Sequence, residues 1–183
     1  MQIPRKRIQA GISLVEQVMV VAIVAVLACI AVPSLGNLMQ GHRLRATQFT
    51  YLATLRYARN MAVEENSRIL FCPSTDGRHC KDAADWTRGW LIARDHDRDG
   101  QPDGPPLRTG RVPRQLTVQG TAGRKQVRFL PDGTALGSNL SLLFCIRGDE
   151  RQALRVVVSN AGRVRGATAT PEQAAACAAA AGP

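Results

Sequence analysis

The chain has 183 residues, with 24 Lys and Arg against 14 Asp and Glu, so it carries a formal charge of +10 at neutral pH. Its length suits one hydrophobic core of ordinary size, and the basic balance points to an anionic partner, although solubility alone also accounts for it. The only histidines are His42, His79 and His96, and neither a nucleophile elbow nor a phosphate loop occurs, which argues against an enzyme.

In chain order, a basic leader, Arg5-Lys6-Arg7, comes before Gly11-Ile12-Ser13-Leu14-Val15-Glu16 and an apolar run from Val18 to Val32. No formal charge lies between Glu16 and Arg43, a gap of about 26 residues, whereas a helix needs only about 20 to cross the hydrocarbon of a bilayer. The segment is long enough to span a membrane. Glu16 sits about one turn inside it, where an unpaired charge costs roughly 2.5 kcal/mol or more, so it needs a cationic partner or a place near the interface. An ordinary secretory signal is cut after its apolar run, but here the candidate glycine precedes it.

That order resembles the class III signal of type IV pilins and pseudopilins, with Ile12 in place of the usual phenylalanine and Pro33 at the twenty-second mature position. The resemblance implies that a prepilin peptidase cuts after Gly11 and methylates Ile12, and that Glu16, the fifth mature residue, serves assembly. Residues 1–11 are then a leader peptide, 12–40 a transmembrane and filament-core helix, and 41–183 a periplasmic domain with a C-terminal tail. The leader holds three of the 24 basic residues and none of the 14 acids, which leaves +7 on the mature chain. The expected location is the bacterial inner membrane and then a filament at the cell surface.

Pro33 removes one helical backbone donor and predicts a kink rather than a stop. Beyond it Leu44, Tyr51, Leu55, Ala58 and Ala62 recur at helical spacings, with Arg43, Arg45, Arg56 and Arg59 left for other faces. One long helix is predicted from Ile12 to about Glu65. Short strand-like runs follow at Arg68–Cys72, Trp90–Ala93, Leu116–Gln119, Gln126–Leu130, Leu140–Arg147 and Ala153–Ser159. A long helix covered by antiparallel strands is an α+β fold. The alanine-rich stretch from Glu172 to Pro183 reads as a frayed tail that only Cys177 can fix to the body.

Cys29 falls in the apolar run and reads as a small buried hydrophobe. Cys72, Cys80, Cys145 and Cys177 permit three pairings, and export to an oxidising compartment favours disulfides. Pairing neighbours is preferred, because Cys72 with Cys80 closes a short Pro/Gly loop and Cys145 with Cys177 ties down the tail. Zinc is the competitor, supported only by His79 beside Cys80 and lacking paired short spacings. Asp95-His96-Asp97-Arg98-Asp99-Gly100 copies the opening of a calcium loop, but Pro106 stands where the bidentate glutamate belongs, so the choice between an irregular calcium site and a solvated turn stays open and no metal is assigned. No cofactor is expected. Phe71, Trp90, Phe129 and Phe144 lie in apolar runs and read as core rather than as a stacking platform, whereas Trp86 is expected at a loop edge.

Between Arg108 and Arg165 only Asp132, Asp149 and Glu150 oppose a long series of basic residues, so part of that surface is positive. The stretch ends at Gly162-Arg163-Val164-Arg165. Gly162 can turn the backbone, and two arginines separated by one residue on an extended segment project to one side, offering two forks for adjacent phosphates. With Gly89-Trp90, the acidic loop from Asp95 to Asp103, and Cys145, this segment resembles the FimT/GspH group of minor pilins over essentially the whole chain. In FimT-type members Gly-Arg-x-Arg is implicated in DNA binding during natural transformation, a role that would fall here on Arg163 and Arg165 only; the cluster Arg124, Lys125 and Arg128 is read separately, from its charge, as an extension of that surface. GspH-type members are minor pseudopilins of type II secretion, the alternative reading. The partners expected are DNA bound without sequence preference, other pilin subunits, the prepilin peptidase and the inner membrane.

Overall fold

The computed structural model describes residues 13–121 and 123–179, with the side chains of residues 30–34, 37 and 150 left aside. The expected cut between Gly11 and Ile12 lies outside the described residues. The first element is helix α1, Leu14–Glu64, assigned without interruption through position 33. The chain divides into two compact units, one ending at Met39 and one beginning at Gln40.

In the first unit the described apolar side chains are exposed on every side of the helix, Leu14, Val15, Val18, Met19, Ile23 and Leu27 among them. A helix apolar all round has no stable place in water and needs apolar neighbours. Among the described residues no helix is long and apolar enough to cross a membrane. Cys29, read from the sequence as buried, is exposed, because no other element of the chain covers this part of the helix among the described residues.

In the second unit α1 becomes amphipathic, and the five residues picked out by periodicity, Leu44, Tyr51, Leu55, Ala58 and Ala62, are all buried. What covers them is a pair of four-stranded antiparallel sheets. One is built from β1 (Ile69–Pro73), β2 (Trp90–Arg94), β3 (Arg108–Gly110) and β5 (Val127–Phe129), in the order β3-β2-β1-β5. The other is built from β4 (Leu116–Gly120), β6 (Leu140–Ile146), β7 (Asp149–Val158) and β8 (Val164–Thr168), in the order β4-β6-β7-β8. The chain closes with α2, Pro171–Ala179.

Tyr51 joins the layers. Its ring meets Phe71 of β1 at 5.8 Å and Phe144 of β6 at 4.9 Å, both edge-on, so one helix residue touches both sheets. Edge-to-face pairs of this kind add to the burial of the rings themselves. At the end of α1 the Arg94 guanidinium donates twice to the Glu65 carboxylate, at 2.7 and 2.6 Å, and ties the helix terminus to β2.

Three further features differ from the sequence reading. Trp86 is fully buried and stacks on Phe71 at 4.9 Å, because its backbone N–H donates to the Val118 carbonyl of β4 at 2.9 Å and Asp85 bridges to Gln119 of the same strand. Strands β3 and β8 are extra; their solvated side chains hide the pattern that burial would have produced. Residues 171–179 of the tail form α2, which packs Ala174 and Cys177 against Cys145 and Ala153.

Candidate nucleic-acid interface

Strands β7 and β8 form a hairpin whose last ladder pair is Val158 with Val164, next to Val157 with Arg165. Its turn is closed by three hydrogen bonds. The Gly162 N–H donates to the Ser159 carbonyl at 2.8 Å, the Ser159 N–H to the Arg163 carbonyl at 3.1 Å, and the Arg163 N–H to the Ser159 hydroxyl oxygen at 3.3 Å. Gly162 is buried with φ of 72°, in the left-handed region that a side chain disfavours. Alternation along β8 sets the rest: Val164 is half-buried against the main core, and Arg163 and Arg165 on either side of it are exposed.

Opposite the hairpin stand Arg56, Arg59 and Asn60 of α1, three and four residues apart and so on one helical face. Arg59 Nε donates to the Gly133 carbonyl at 2.9 Å, which fixes its guanidinium beside the hairpin turn. Between helix and hairpin lies a cleft of about 560 Å³, lined by these three residues with Ser159, Gly162, Arg163, Val164 and Arg165. No acidic side chain lines it among the described residues. Four guanidinium groups around one concave surface can each present paired donors to phosphate oxygens.

The other basic residues marked by the sequence are spread apart. Arg124 donates through Nη1 to the Gly137 carbonyl at 2.6 Å and lines a neighbouring groove that shares Ser159 with the arginine cleft. Lys125 forms an exposed ion pair with Asp82 at 2.5 Å. Arg128 lies half-buried on β5 opposite Leu70, close enough to Arg68 for their charges to oppose. Neither Lys125 nor Arg128 lines the cleft. Arg56 and Arg59 are the contribution that sequence reasoning did not single out. Their helical spacing was legible, but nothing in the sequence says which strand they face.

The acidic loop is organised by its own hydrogen bonds. Asp97 accepts from the Asp99 N–H at 3.1 Å, Asp99 from the Gln101 N–H at 2.7 Å, and Asp103 from the His96 N–H. Asp95, Asp97 and Asp99 bring carboxylate oxygens within 4.8 Å of one another and form a group that could hold a cation. Asp95 is already engaged: it is buried, it accepts from the Gly100 N–H at 3.1 Å, and it lies 3.0 Å from Arg68 Nε as a charge contact without hydrogen-bond alignment. The cysteines are joined as Cys72–Cys80 and Cys145–Cys177.

A long N-terminal helix whose second half is covered by antiparallel sheets is the architecture of a pilin-type subunit, and solved structures share it. The type IV minor pilin FimU of Pseudomonas aeruginosa superposes with a TM-score of 0.57 at 22% identity, over 73% of this chain and 92% of that one. The minor pseudopilin EpsH from the type 2 secretion system of Vibrio cholerae superposes with a TM-score of 0.51 at 13% identity, over 69% of this chain and 97% of that one. The family described as Type II transport protein GspH matches residues 50–162, more than half of the chain, and the chain belongs to that family. No curated protein matches it significantly.

Proposed function

We propose that this GspH-family chain is a minor type IV pilin that binds DNA without sequence preference through phosphate contacts and supports DNA uptake in natural transformation. The observation that carries the reading is the placement of Arg163 and Arg165 at the mouth of a cleft lined by arginines and by no carboxylate among the described residues. Each side chain reaches solvent from a short turn and a strand, and among the described residues no helix is presented for insertion into a groove of DNA. Contacts of that kind position a phosphate backbone but read no bases.

In the cell, residues 1–11 would be removed between Gly11 and Ile12 by the prepilin peptidase, and residues 12–40 would hold the chain in the inner membrane until it joins a bundle of like helices. The apolar surface of α1 from Leu14 onward supports this, since it needs either lipid or other helices around it. Residues 41–183 would then lie in the periplasm, and later on the filament. Each part has one role: the helix for assembly and the basic cleft for DNA.

The test is binding of a short labelled duplex by the full chain in detergent micelles. Salt-sensitive binding is expected, equal for unrelated sequences, and Arg163→Ala/Arg165→Ala is expected to weaken it at every sequence while the fold is retained. Wild-type binding by that double variant would remove the segment from the site. Absence of salt-sensitive binding in the unmutated chain would favour the second reading, a structural minor pseudopilin of type II secretion, which the family match supports.

A further inference from the structure

We infer that α1 supplies the second wall of the DNA site: Arg56 and Arg59 face Arg163 and Arg165 across the cleft and grip the same phosphodiester backbone from the opposite side. The inference rests on the reading that the Gly162–Arg165 segment binds DNA, and it assigns two further binding residues and the chemical group they take.

Like charges three residues apart on a helix repel, and so do like charges brought together by folding from distant parts of the chain. Here four of them converge. Arg56 and Arg59 stand on one wall, Arg163 and Arg165 on the other, and Asn60 and Ser159 add neutral hydrogen-bonding groups. Three cations elsewhere on this surface have an acid in contact, Arg94 with Glu65, Lys125 with Asp82 and Arg151 with Asp149. The cleft has no such match among its lining residues, and a concave basic surface focuses its potential on an anion within it.

The two walls are also held in register. Arg59 Nε donates to the Gly133 carbonyl, and Gly162 packs against that same oxygen, so helix and hairpin are referenced to one atom. A guanidinium can give one N–H to that oxygen and keep others for a ligand, whereas a lysine ammonium offers a single point charge. Among the described residues no aromatic ring lines the cleft, so bases find nothing there to stack on and the recognised group is phosphate.

The experiment measures duplex affinity against salt for the full chain in detergent micelles and for single variants. Arg56→Gln is the main test, because this exposed side chain can be changed with little effect on the fold, which thermal melting checks. It is expected to weaken binding about eightfold near 0.1 M salt and to lower the salt slope by about one, as loss of one phosphate contact implies. Arg45→Gln, an exposed α1 arginine outside the cleft, removes the same charge and is expected to change neither. Inorganic polyphosphate is expected to displace the duplex. If the unmutated chain shows no salt-sensitive binding, the DNA reading itself fails. If Arg163→Gln weakens binding and Arg56→Gln does not, or Arg45→Gln weakens it as much as Arg56→Gln, the helix wall is overturned while the hairpin site stands. If polyphosphate does not compete, the assignment of phosphate as the recognised group is overturned.

Discussion

Gly162 lies so close to Gly133 that a β-carbon at position 162 would collide with the Gly133 carbonyl oxygen. Position 162 therefore requires glycine twice, once for its φ of 72° and once for this approach. Gly162→Ala is expected to cost about 1–3 kcal/mol and to shift the hairpin tip, weakening DNA binding although every arginine remains. Gly148→Ala is the control. Its φ of 74° carries the conformational penalty, but nothing lies within 4 Å of the added carbon, so the loss of stability should be smaller and binding unchanged. Thermal denaturation and duplex titration of both variants separate geometry from charge. If Gly162→Ala binds like the parent, the docking of the hairpin on Gly133 has no part in recognition.

The two disulfides close loops of unequal length, with separations of 8 for Cys72–Cys80 and 32 for Cys145–Cys177. Loop-closure entropy assigns about 2.5 kcal/mol to the first and about 3.7 kcal/mol to the second. Cys145→Ala/Cys177→Ala is expected to be the more destabilising pair, and to do so locally, since nine residues of mostly alanine do not hold a helix in water without packing. Hydrogen exchange checks this: protection should fall first in Pro171–Ala179 and last in β1 and β6. Continued protection of α2 in that variant would mean that the contacts of Ala174, rather than the disulfide, hold it.

Most of the fold was legible because the sequence alternates or repeats wherever one face is buried. The helical stripe from Leu44 to Ala62 repeats and β5 and the start of β6 alternate, whereas β1 and β2 show instead as continuous apolar runs buried on both faces. Strand β8 shows neither pattern, since Arg165, Gly166 and Thr168 are exposed and only Val164 reaches the core. Trp86 was misplaced for the opposite reason: its neighbours are polar, and the stacking on Phe71 that buries it is a long-range contact. The candidate site was half legible. Gly162-Arg163-Val164-Arg165 is local and shows its alternation, whereas Arg56 and Arg59 join it only through the packing of α1 near the hairpin, a relation between segments about a hundred residues apart.

Hydrogen bonds from Arg94, aided by its charge, hold the Glu65 carboxyl below its ordinary value of 4.5. A carboxylate with a depressed folded pKa adds stability that is fully present above the unfolded value and is lost as pH falls through the folded one. The contribution of Glu65 is therefore intact at neutral pH and begins to fall away only below about pH 4.5. Glu65→Gln is expected to lower Tm by a few degrees at pH 7 and by progressively less toward pH 3, giving a shallower acid limb. Melting curves across that range check it, and a difference that grows toward acid pH would show that the pair does not act through the charge of Glu65.

Glu16 lies in the first turn of α1, exposed among Leu14, Val15, Val18 and Met19, which are exposed as well. A carboxylate there is favoured by the positive end of the helix dipole while the chain is single. Once the apolar surface is enclosed by lipid or by other helices, that carboxylate loses water and requires an opposite charge. In the filament reading, the amine freed by cutting before Ile12 on a neighbouring subunit supplies it. The expected outcome for Glu16→Ala is a chain that still enters the membrane, where loss of a charge favours insertion, but fails to join filaments. Glu16→Gln keeps the size and removes the charge, so it should fail in the same way if pairing rather than packing is what matters. Fractionation into membrane and sheared-filament pools, with the subunit followed by antibody, measures both steps at once. Incorporation of Glu16→Gln at the parental level would assign Glu16 no electrostatic role in assembly.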